Sequence, residues 1–379
     1  MLPDHEILAL HAAITATPSV SGDEGALADL LGERLARHGV LPARLGNSLL
    51  ATLGSGPLLL LDTHLDTVPP GPGWTRDPWE VRREGERIHG LGANDAKASV
   101  AAMVAAFLAF REAELPFTLA LALVEAEETR GTGTEAVLAE LARRGLSPAA
   151  AVVGEPTGLD VAVAQKGLLV LELVARGDAC HAAHARALGA ANAARRLARD
   201  LVALEAVEHD LGPPHPLLGP ITLEPTTLRA GTARNVVPGE ATAVLDVRTT
   251  PAVEPRQVVE RLAAAVASEV RVVSDRLRPR ETAESSILVR AALAARPEAR
   301  LFGSPTLSDL VFMEGIPAIK CGPGESARSH TPDEYVLERE VLAGARFYAR
   351  LVRAWAELRA ASESESEPEP EPARAGAAG

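Results

Sequence analysis

Six side chains that could bind a metal ion or move a proton follow short apolar or glycine-rich segments: His64, Asp95, Glu127, Glu128, Glu155 and His330. Histidine and carboxylate ligands without cysteine suit zinc, cobalt or manganese, with coordination positions left for water. Two such ions about 3.5–4 Å apart, sharing a carboxylate, form a recurrent hydrolytic centre. The residue types therefore suggest water activated between two metals, with one carboxylate kept off the metals to accept its proton.

Residues 58–70, LLLLDTHLDTVPP, place His64 and Asp66 one residue apart at the end of a predicted buried strand. Ligands of open α/β sheets lie outside the carboxyl ends of the strands, and alternate residues of a strand share a face. Asp66 could therefore hold His64 in one tautomer, as carboxylates do for metal-bound histidines. An isolated His-x-Asp pair is usually incidental, so the interpretation depends on whether other strands end in the same way.

Two further apolar segments end in acidic residues. Residues 117–128, FTLALALVEAEE, end in Glu127 and Glu128, and residues 149–156, AAAVVGEP, contain Glu155. Asp95 follows a glycine-rich turn before a predicted helix over 97–110, where a carboxylate could be only an N-cap. Together these positions favour one common site. Glu127 and Glu128 would point to different sides, and their spacing leaves open which binds metal and which faces the water.

The order of predicted elements indicates two domains. Helices over 4–16, 23–38, 97–110 and 134–145 alternate with strands, which is typical of an α/β fold. Residues 166–281 follow the order β-α-β-β-α-β of a ferredoxin-like unit. The α/β pattern then resumes and closes with a helix over 337–359. We expect a discontinuous catalytic domain, 1–165 and 282–360, interrupted by an inserted domain, 166–281.

Composition narrows the class of protein. Of 379 residues, 47% are apolar and 23% charged, which is ordinary for a soluble globular chain. No apolar run approaches the length of a membrane span, and the N-terminus lacks the basic region of a secretory signal. Two cysteines and a net charge of −13 favour the cytoplasm and disfavour nucleic acid or anionic membranes as partners. Residues 361–379, rich in Glu, Ser, Pro and Ala, are predicted to be a disordered acidic tail.

Five segments resemble, in order, the motifs of one family of metal-dependent hydrolases: HLDTVP, GLGANDAK, EAEET, VVGEPT and GPGESARSHTPDE. That family contains acetylornithine deacetylase, succinyl-diaminopimelate desuccinylase and carboxypeptidase G. The resemblance covers nearly the whole chain except the acidic tail. It implies an exopeptidase-like α/β catalytic domain with two metals, a ferredoxin-like α+β dimerisation domain inserted into it, and a homodimer.

The resemblance also implies a role for each residue of the predicted centre. One metal would be held by His64, Asp95 and Glu155, and Asp95 would bridge to a second metal held by Glu128 and His330. The ions would be zinc, with cobalt as the alternative. Asp66 would orient His64. Glu127 would be the general base that deprotonates the water and then passes the proton to the leaving amine.

In the inserted domain, the segment GDACHAAHARALGA resembles the part of the family that carries an oxyanion-stabilising histidine. The resemblance implies that His181 reaches an active site, commonly that of the partner subunit. Asn235 and Arg248 match positions that contact the scissile carbonyl region and the substrate carboxylate. His181 could instead be a solvated helix-start residue and Arg248 a structural ion-pair residue. Arg328 could contact substrate, although an arginine in a loop is more often solvated.

The segments FGSPTLSDLVFM and GPGESARSHTPDE look closest to acetylornithine deacetylase-like members of arginine biosynthesis. We therefore expect hydrolysis of an N-acylated amino acid, with N-acetylornithine first. The alternatives are related deacylases acting on N-acetylcitrulline, N-succinyl-diaminopimelate or carrier-protein-linked lysine or ornithine, and a metallo-exopeptidase. A non-catalytic binding protein is disfavoured, because the five metal positions and Glu127 are all present.

Overall fold

The computed structural model describes residues 1–366. Its helices are α1 (Asp4–Thr15), α2 (Gly25–Arg37), α3 (Lys97–Leu108), α4 (Thr132–Arg143), α5 (Ala185–Leu188), α6 (Ala193–Glu208), α7 (Pro255–Ala265), α8 (Ile287–Ala295) and α9 (Glu338–Ser366). Its strands are β1 (Ala43–Leu45), β2 (Ser48–Leu53), β3 (Leu58–His64), β4 (Arg82–Glu84), β5 (Arg87–His89), β6 (Thr118–Val124), β7 (Pro148–Val153), β8 (Val161–Gln165), β9 (Gly167–Arg176), β10 (Cys180–His181), β11 (Thr222–Ala230), β12 (Val236–Val237), β13 (Glu240–Thr249), β14 (Glu269–Leu277), β15 (Arg280–Glu281), β16 (Leu301–Ser304), β17 (Ala318–Lys320) and β18 (Tyr335–Leu337).

A large mixed sheet with the order β1-β2-β6-β3-β7-β17-β8-β15 forms the centre of the molecule, and β16 pairs with β8. Strands β6, β3, β7 and β17 are parallel. Every residue of β3 and β6 is buried, because helices cover both faces of this part of the sheet. Alternate leucines of β3 enter different cores: Leu59 and Leu61 pack with α3 and α9, and Leu58 and Leu60 pack with α4.

A second sheet, of order β11-β13-β9-β14, is antiparallel. Helices α6 and α7 cover one of its faces, where alternate residues of β9 (Leu169, Leu171 and Leu173) form a separate core. Strands β9, β11, β13 and β14 alternate with α6 and α7 in the order β-α-β-β-α-β. Strands β10 and β12 form a short ribbon beside this sheet.

The inserted unit ends slightly earlier than the predicted residue 281. Strand β15, Arg280–Glu281, pairs with β8 and therefore belongs to the large sheet. The two chain segments that connect the sheets lie against each other at Gly167 and Pro279. A Cβ atom on Gly167 would lie only 2.5 Å from the backbone nitrogen of Pro279. The chain therefore leaves the large sheet after Gln165 and returns to it at Arg280.

The C-terminal helix is longer than predicted. Helix α9 continues to Ser366, so the prediction of disorder from residue 361 is wrong for its first residues. The segment AASESES contains helix formers but no apolar period, so amphipathic patterning did not indicate its conformation. Residues 367–379 of the predicted tail lie outside the described part of the chain. Within residues 1–366, no helix combines the length and apolar character that crossing a bilayer requires.

Candidate metal centre

The side chains predicted to bind metal follow neighbouring parallel strands of the large sheet. His64 ends β3 and lies opposite Val124, the last residue of β6. Asp62 of β3 pairs in the same way with Val153, the last residue of β7. Because these strands end at one edge, the segments that carry Glu127 and Glu155 emerge beside His64.

His64 is buried at this edge, with a different environment at each ring nitrogen. Nδ1 lies 2.9 Å from the main-chain oxygen of Asp66 and 3.5 Å from its Oδ1. Nε2 lies 3.2 Å from Asp95 Oδ1 and 3.8 Å from Glu155 Oε1. Burial alone would lower the pKa of His64, but the neighbouring carboxylates outweigh it and raise the pKa well above its usual value. Because Asp66 holds the Nδ1–H, Nε2 is the ring nitrogen that would lose its proton and bind a metal ion.

Asp66 connects β3 to the loop after β6. Its carboxylate accepts hydrogen bonds from the backbone amides of Glu127 and Glu128, both at 3.1 Å, and from Ser21 Oγ at 2.6 Å. Burial would raise the pKa of Asp66, but His64 and these donors lower it overall. The ionised carboxylate therefore holds the two glutamates in register with His64. Ser21 was not identified from the sequence.

Asp95 is held by Glu334, the last residue of the motif GPGESARSHTPDE, for which the sequence predicted no role. Glu334 is 2% exposed, and its oxygens accept hydrogen bonds from the backbone amides of Gly92, Asn94 and Asp95, each at 2.9 Å. Burial, with a smaller contribution from Asp95, raises the pKa of Glu334 to about 7. The N-cap of α3 is Ala96 and makes no side-chain capping bond, so Asp95 is not the N-cap of this helix.

Glu128 and His330 form the other side of the cluster. His330 Nε2 lies 2.9 Å from Glu128 Oε1 and 3.9 Å from Asp95 Oδ2. His330 lies in an exposed loop with a φ of 58°, and its hydrogen bond to Glu128 raises its pKa to about 9. Asp95 therefore lies between His64 on one side and His330 on the other.

Glu127 and Glu155 are carboxyls whose pKa the surrounding protein raises. Burial raises the pKa of Glu155 to about 7, and it raises that of Glu127 well above its usual value, with Glu155 as the next cause. A nearby divalent cation would reverse this effect by favouring the ionised forms.

The donor set fits divalent cations. Ligand atoms of His64, Glu127 and Glu155 lie within 4.8 Å of one another, as do those of His64, Asp95 and Glu128. The carboxylates and His330 line a cleft of about 230 Å³. Imidazole nitrogens and carboxylate oxygens in this combination suit zinc, cobalt or manganese. Glu127 lies as close to the cluster as the predicted ligands do. A base that deprotonates a water in this cleft would occupy such a position.

The structure brings His181 and Asn235 together, but not with the metal cluster. His181 in β10 pairs with Val236 in β12, and the main-chain oxygen of Asn235 accepts a hydrogen bond from Ala182 at 2.8 Å. Both residues are exposed, and neither lines the cleft. His181 Nδ1 accepts a hydrogen bond from the amide of Ala183 at 3.2 Å, so His181 caps a short 3-10 turn. Within one chain, therefore, His181 acts as a helix-start residue.

The two arginines considered as substrate contacts both have carboxylate partners. Arg248 donates through Nε and an Nη to Asp246, at 2.8 and 3.0 Å. Arg328 donates to Glu340 at 2.7 and 3.1 Å and lies over the ring of Tyr335. In this structure each arginine is therefore an ion-pair residue.

Comparison with known proteins identifies the family. Residues 60–354 match the model of the peptidase family M20/M25/M40. The chain belongs to this family. This membership confirms the resemblance that the five motifs indicated. It also confirms the predicted exopeptidase-like α/β fold.

Among its relatives, the succinyl-diaminopimelate desuccinylase of Bordetella petrii is 34% identical over 280 residues, covering 70% of this chain and 73% of the relative. That of Rhizorhabdus wittichii is 32% identical over 374 residues, covering 91% and 97%. Two solved M20 structures share the fold. The metallo-carboxypeptidase Sso-CP2 of Sulfolobus solfataricus has a TM-score of 0.72 at 20% identity, covering 93% of this chain and 99% of that one. The dinuclear metal-binding peptidase YXEP of Bacillus subtilis has 0.68 at 16%, covering 94% and 98%.

Proposed function

We propose that this protein is a metal-dependent amidohydrolase that removes the acyl group of an N-acylated amino acid, with N-acetylornithine as the first candidate. The observation that carries the proposal is the convergence of His64, Asp95, Glu128, Glu155 and His330 around one cleft that also contains Glu127. Membership of a peptidase family supports hydrolysis of an amide bond. The desuccinylase relatives support an N-acyl amino acid as the substrate class.

Two divalent cations would occupy the cluster. His64, Asp95 and Glu155 would hold one, and Asp95, Glu128 and His330 the other. Zinc is the expected ion, with cobalt as the alternative. When bound, such ions polarise a carbonyl group and make a nearby water more acidic. The dinuclear metal binding described for the Bacillus subtilis structure supports two ions rather than one.

Glu127 would move the proton of the reaction. It accepts a proton from the attacking water as the water oxygen bonds to the acyl carbon. It then gives that proton to the amine nitrogen as the carbon–nitrogen bond breaks, leaving a carboxylic acid and a free amine. Burial raises the pKa of Glu127, which favours the protonated form that the second step requires. Asp66 positions this base through its hydrogen bond to the Glu127 amide.

The inserted unit would complete the site in a homodimer. We infer that His181 and Asn235 contact the scissile carbonyl in the active site of the partner subunit, where His181 stabilises the oxyanion. Their exposure and their shared ribbon support a function outside their own chain's cleft. Arg248 would bind a substrate carboxylate. To do so it would exchange its present partner, Asp246, for the substrate.

The proposed setting is arginine biosynthesis in the cytoplasm, with ornithine and acetate as products. Both cysteines are free thiols, which is consistent with a reducing compartment. N-succinyl-diaminopimelate is the second candidate substrate, because the relatives from Bordetella petrii and Rhizorhabdus wittichii are desuccinylases. Less favoured substrates are N-acetylcitrulline, carrier-protein-linked lysine or ornithine, and dipeptides. Binding of such a compound without turnover is the least favoured function.

A hydrolysis panel tests this proposal. The purified chain is stripped of metal, reloaded with zinc or cobalt, and assayed for release of a free amine. The substrates are N-acetylornithine, N-acetylcitrulline, N-succinylornithine, N-succinyl-diaminopimelate and a dipeptide. We expect turnover only with metal and the highest kcat/KM on N-acetylornithine. A higher value on another member would replace the substrate. Binding without hydrolysis by the metal-loaded chain would overturn the proposed activity.

A further inference from the structure

Lys320 is a buried cation beside the metal cleft that has no part in the mechanism above. It is the last residue of β17 and only 4% exposed. It lines the cleft of about 230 Å³ that contains the candidate metal ligands. It also lines a neighbouring pocket of about 550 Å³, which shares Pro156, Thr306 and Ser326 with the cleft. The two spaces therefore adjoin at Lys320.

The ammonium group of Lys320 has spare hydrogen-bonding capacity. Among the described residues it donates to Thr306 Oγ1 at 2.9 Å, and no carboxylate comes within 4 Å of it. The charge of Lys320 lowers the pKa of Glu155, but among the described residues no ion pair joins the two side chains. An ammonium group has three donors, so two stay available to a ligand. A largely desolvated, unpaired cation is costly, and an anionic ligand would offset that cost.

The other cation of the larger pocket is already paired. Arg300 lies 2.6 Å from Asp160 Oδ2, and its side chain is 85% exposed. Lys320 is thus the pocket's unpaired cation within the described part of the chain. Its position between the candidate metal ligands and the larger pocket suits a substrate whose amide lies in the cleft and whose anionic group lies a few bonds away.

We propose that Lys320 binds a carboxylate of the substrate and is a specificity-determining residue for N-acyl amino acids that carry one. This rests on the proposed amidohydrolase function. The carboxylate has two chemical sources: the α-carboxylate of the amino acid, or the distal carboxylate of a dicarboxylic acyl group such as succinyl. Thr306 orients the ammonium group, and the larger pocket accommodates the substrate atoms beyond the carboxylate.

The test compares the wild type with Lys320→Met, which keeps the length of the side chain and removes its charge. The substrates are N-acetylornithine, its α-carboxamide and N-succinylornithine, each assayed on the metal-loaded protein. If Lys320 binds the α-carboxylate, the variant raises KM about 10- to 100-fold for N-acetylornithine and for N-succinylornithine. KM for the α-carboxamide then stays unchanged. If it binds the distal carboxylate, only N-succinylornithine is affected.

Metal content separates this role from a structural one. We expect Lys320→Met to keep the metal stoichiometry of the wild type. An equal loss on all three substrates, or loss of metal, would make Lys320 a counter-charge for Glu155 and overturn the proposal. Lys166→Met is the matched control, because Lys166 is also buried but donates to Pro220 O at 2.8 Å; it should not discriminate among the substrates.

If Lys320→Met does not fold, Thr306→Val removes the ammonium's hydrogen-bond partner and should give the same ranking of substrates with a smaller effect. Equal KM values for variant and wild type on every substrate would also reject the proposal. If the wild type hydrolyses none of the three substrates, the result instead counts against the proposed function.

Discussion

The candidate metal ligands and the ribbon formed by β10 and β12 differ in how the protein holds them. His64 is 1% exposed, and Asp66 is fully buried and fixed by three hydrogen bonds. His181 and Asn235, by contrast, are exposed on a two-stranded ribbon. The first group is preorganised within one chain, as a metal site requires. The second group is positioned on a surface, where its function depends on what approaches it.

This difference has a topological origin. Parallel strands β3, β6 and β7 end together, so their following residues meet without help from another chain. The ribbon instead extends from an antiparallel unit that has its own core. Buried hydrogen bonds fix the ligands of the first region, whereas a change in the relation between the two units would move the second.

Replacing Glu127 should have the largest effect. Glu127→Gln keeps the shape of the side chain but removes its basicity, so we expect kcat to fall about 10²- to 10⁴-fold. Metal content should stay at the wild-type value, because the five predicted ligands remain. Steady-state hydrolysis and elemental analysis of the same preparation measure both quantities.

Glu125→Gln is the matched control for that variant. Glu125 lies two residues away but accepts a hydrogen bond from the amide of Asn47 at 2.6 Å and does not line the cleft. Its replacement should leave kcat close to that of the wild type. Full activity of Glu127→Gln would reject Glu127 as the base, and loss of metal would make it a ligand instead.

His181→Ala should reduce kcat about 10²- to 10³-fold if His181 stabilises the oxyanion. His184→Ala is the control, since His184 is exposed on the same segment and its ring centroid is 5.6 Å from that of His181. An equal effect of both variants would indicate damage to the ribbon rather than loss of an oxyanion contact.

Mixing two inactive variants tests whether His181 acts across a dimer. Glu127→Gln and His181→Ala chains are dissociated together and allowed to reassociate. In a mixed dimer, one cleft then keeps Glu127 and receives His181 from its partner. Random pairing should restore about a quarter of the wild-type activity. No recovery, with mixed dimers verified by differential tags, would show that His181 acts on its own chain or not at all.

The same contrast explains what the sequence predicted about the site. Strand ends leave a local pattern, an apolar run that stops at polar residues. This pattern predicted that one edge of the sheet brings together His64, Asp66, Glu127 and Glu155. Ser21 left no such pattern, and Glu334 lies in a motif that predicted no role for it. Their hydrogen bonds reach residues 45 and about 240 positions away, so only the folded chain reveals them. Their carboxylate and hydroxyl types alone do not distinguish them from surface residues.

Local backbone features explain the differences in secondary structure. The predicted order β-α-β-β-α-β has one helix between its first two strands, but α5 ends at Leu188, where Gly189 follows with a φ of 63°. Helix α6 begins only after Asn192, whose side chain accepts a hydrogen bond from the amide of Arg195. Glycine and asparagine are typical of helix ends and helix starts, respectively, and the Ala- and Arg-rich composition concealed both signals.

Glu334→Gln should weaken metal binding without abolishing chemistry. An amide NH₂ in place of one carboxylate oxygen would face the backbone N–H groups of Gly92, Asn94 or Asp95, so the loop that carries Asp95 would lose its order. We expect metal affinity to fall about 10- to 100-fold, with activity recovering at high metal concentration. Titration of the metal-free protein with zinc measures this. Asp333→Asn is the control, because Asp333 is only half-buried and bonds to Thr75 instead. Unchanged affinity would show that Asp95 does not need this support.

The smallest effect concerns His11, which joins the same loop to α1. Its Nε2 lies 2.8 Å from the oxygen of Ala93, and burial lowers the pKa of His11 to about 4. The unfolded chain, with a pKa near 6.5, then binds more protons than the folded one between pH 4 and 6.5. The stabilisation is complete above pH 6.5 and is lost as the pH falls toward 4, by about 2–3 kcal/mol. His11→Gln keeps a donor for Ala93 but does not titrate, so its free energy of unfolding should fall less over this range. His5→Gln, at an exposed position of the same helix, should follow the wild type. Urea unfolding at pH 7 and 4.5 compares the three proteins. If all three lose the same free energy of unfolding between these pH values, His11 does not contribute to the pH dependence of stability.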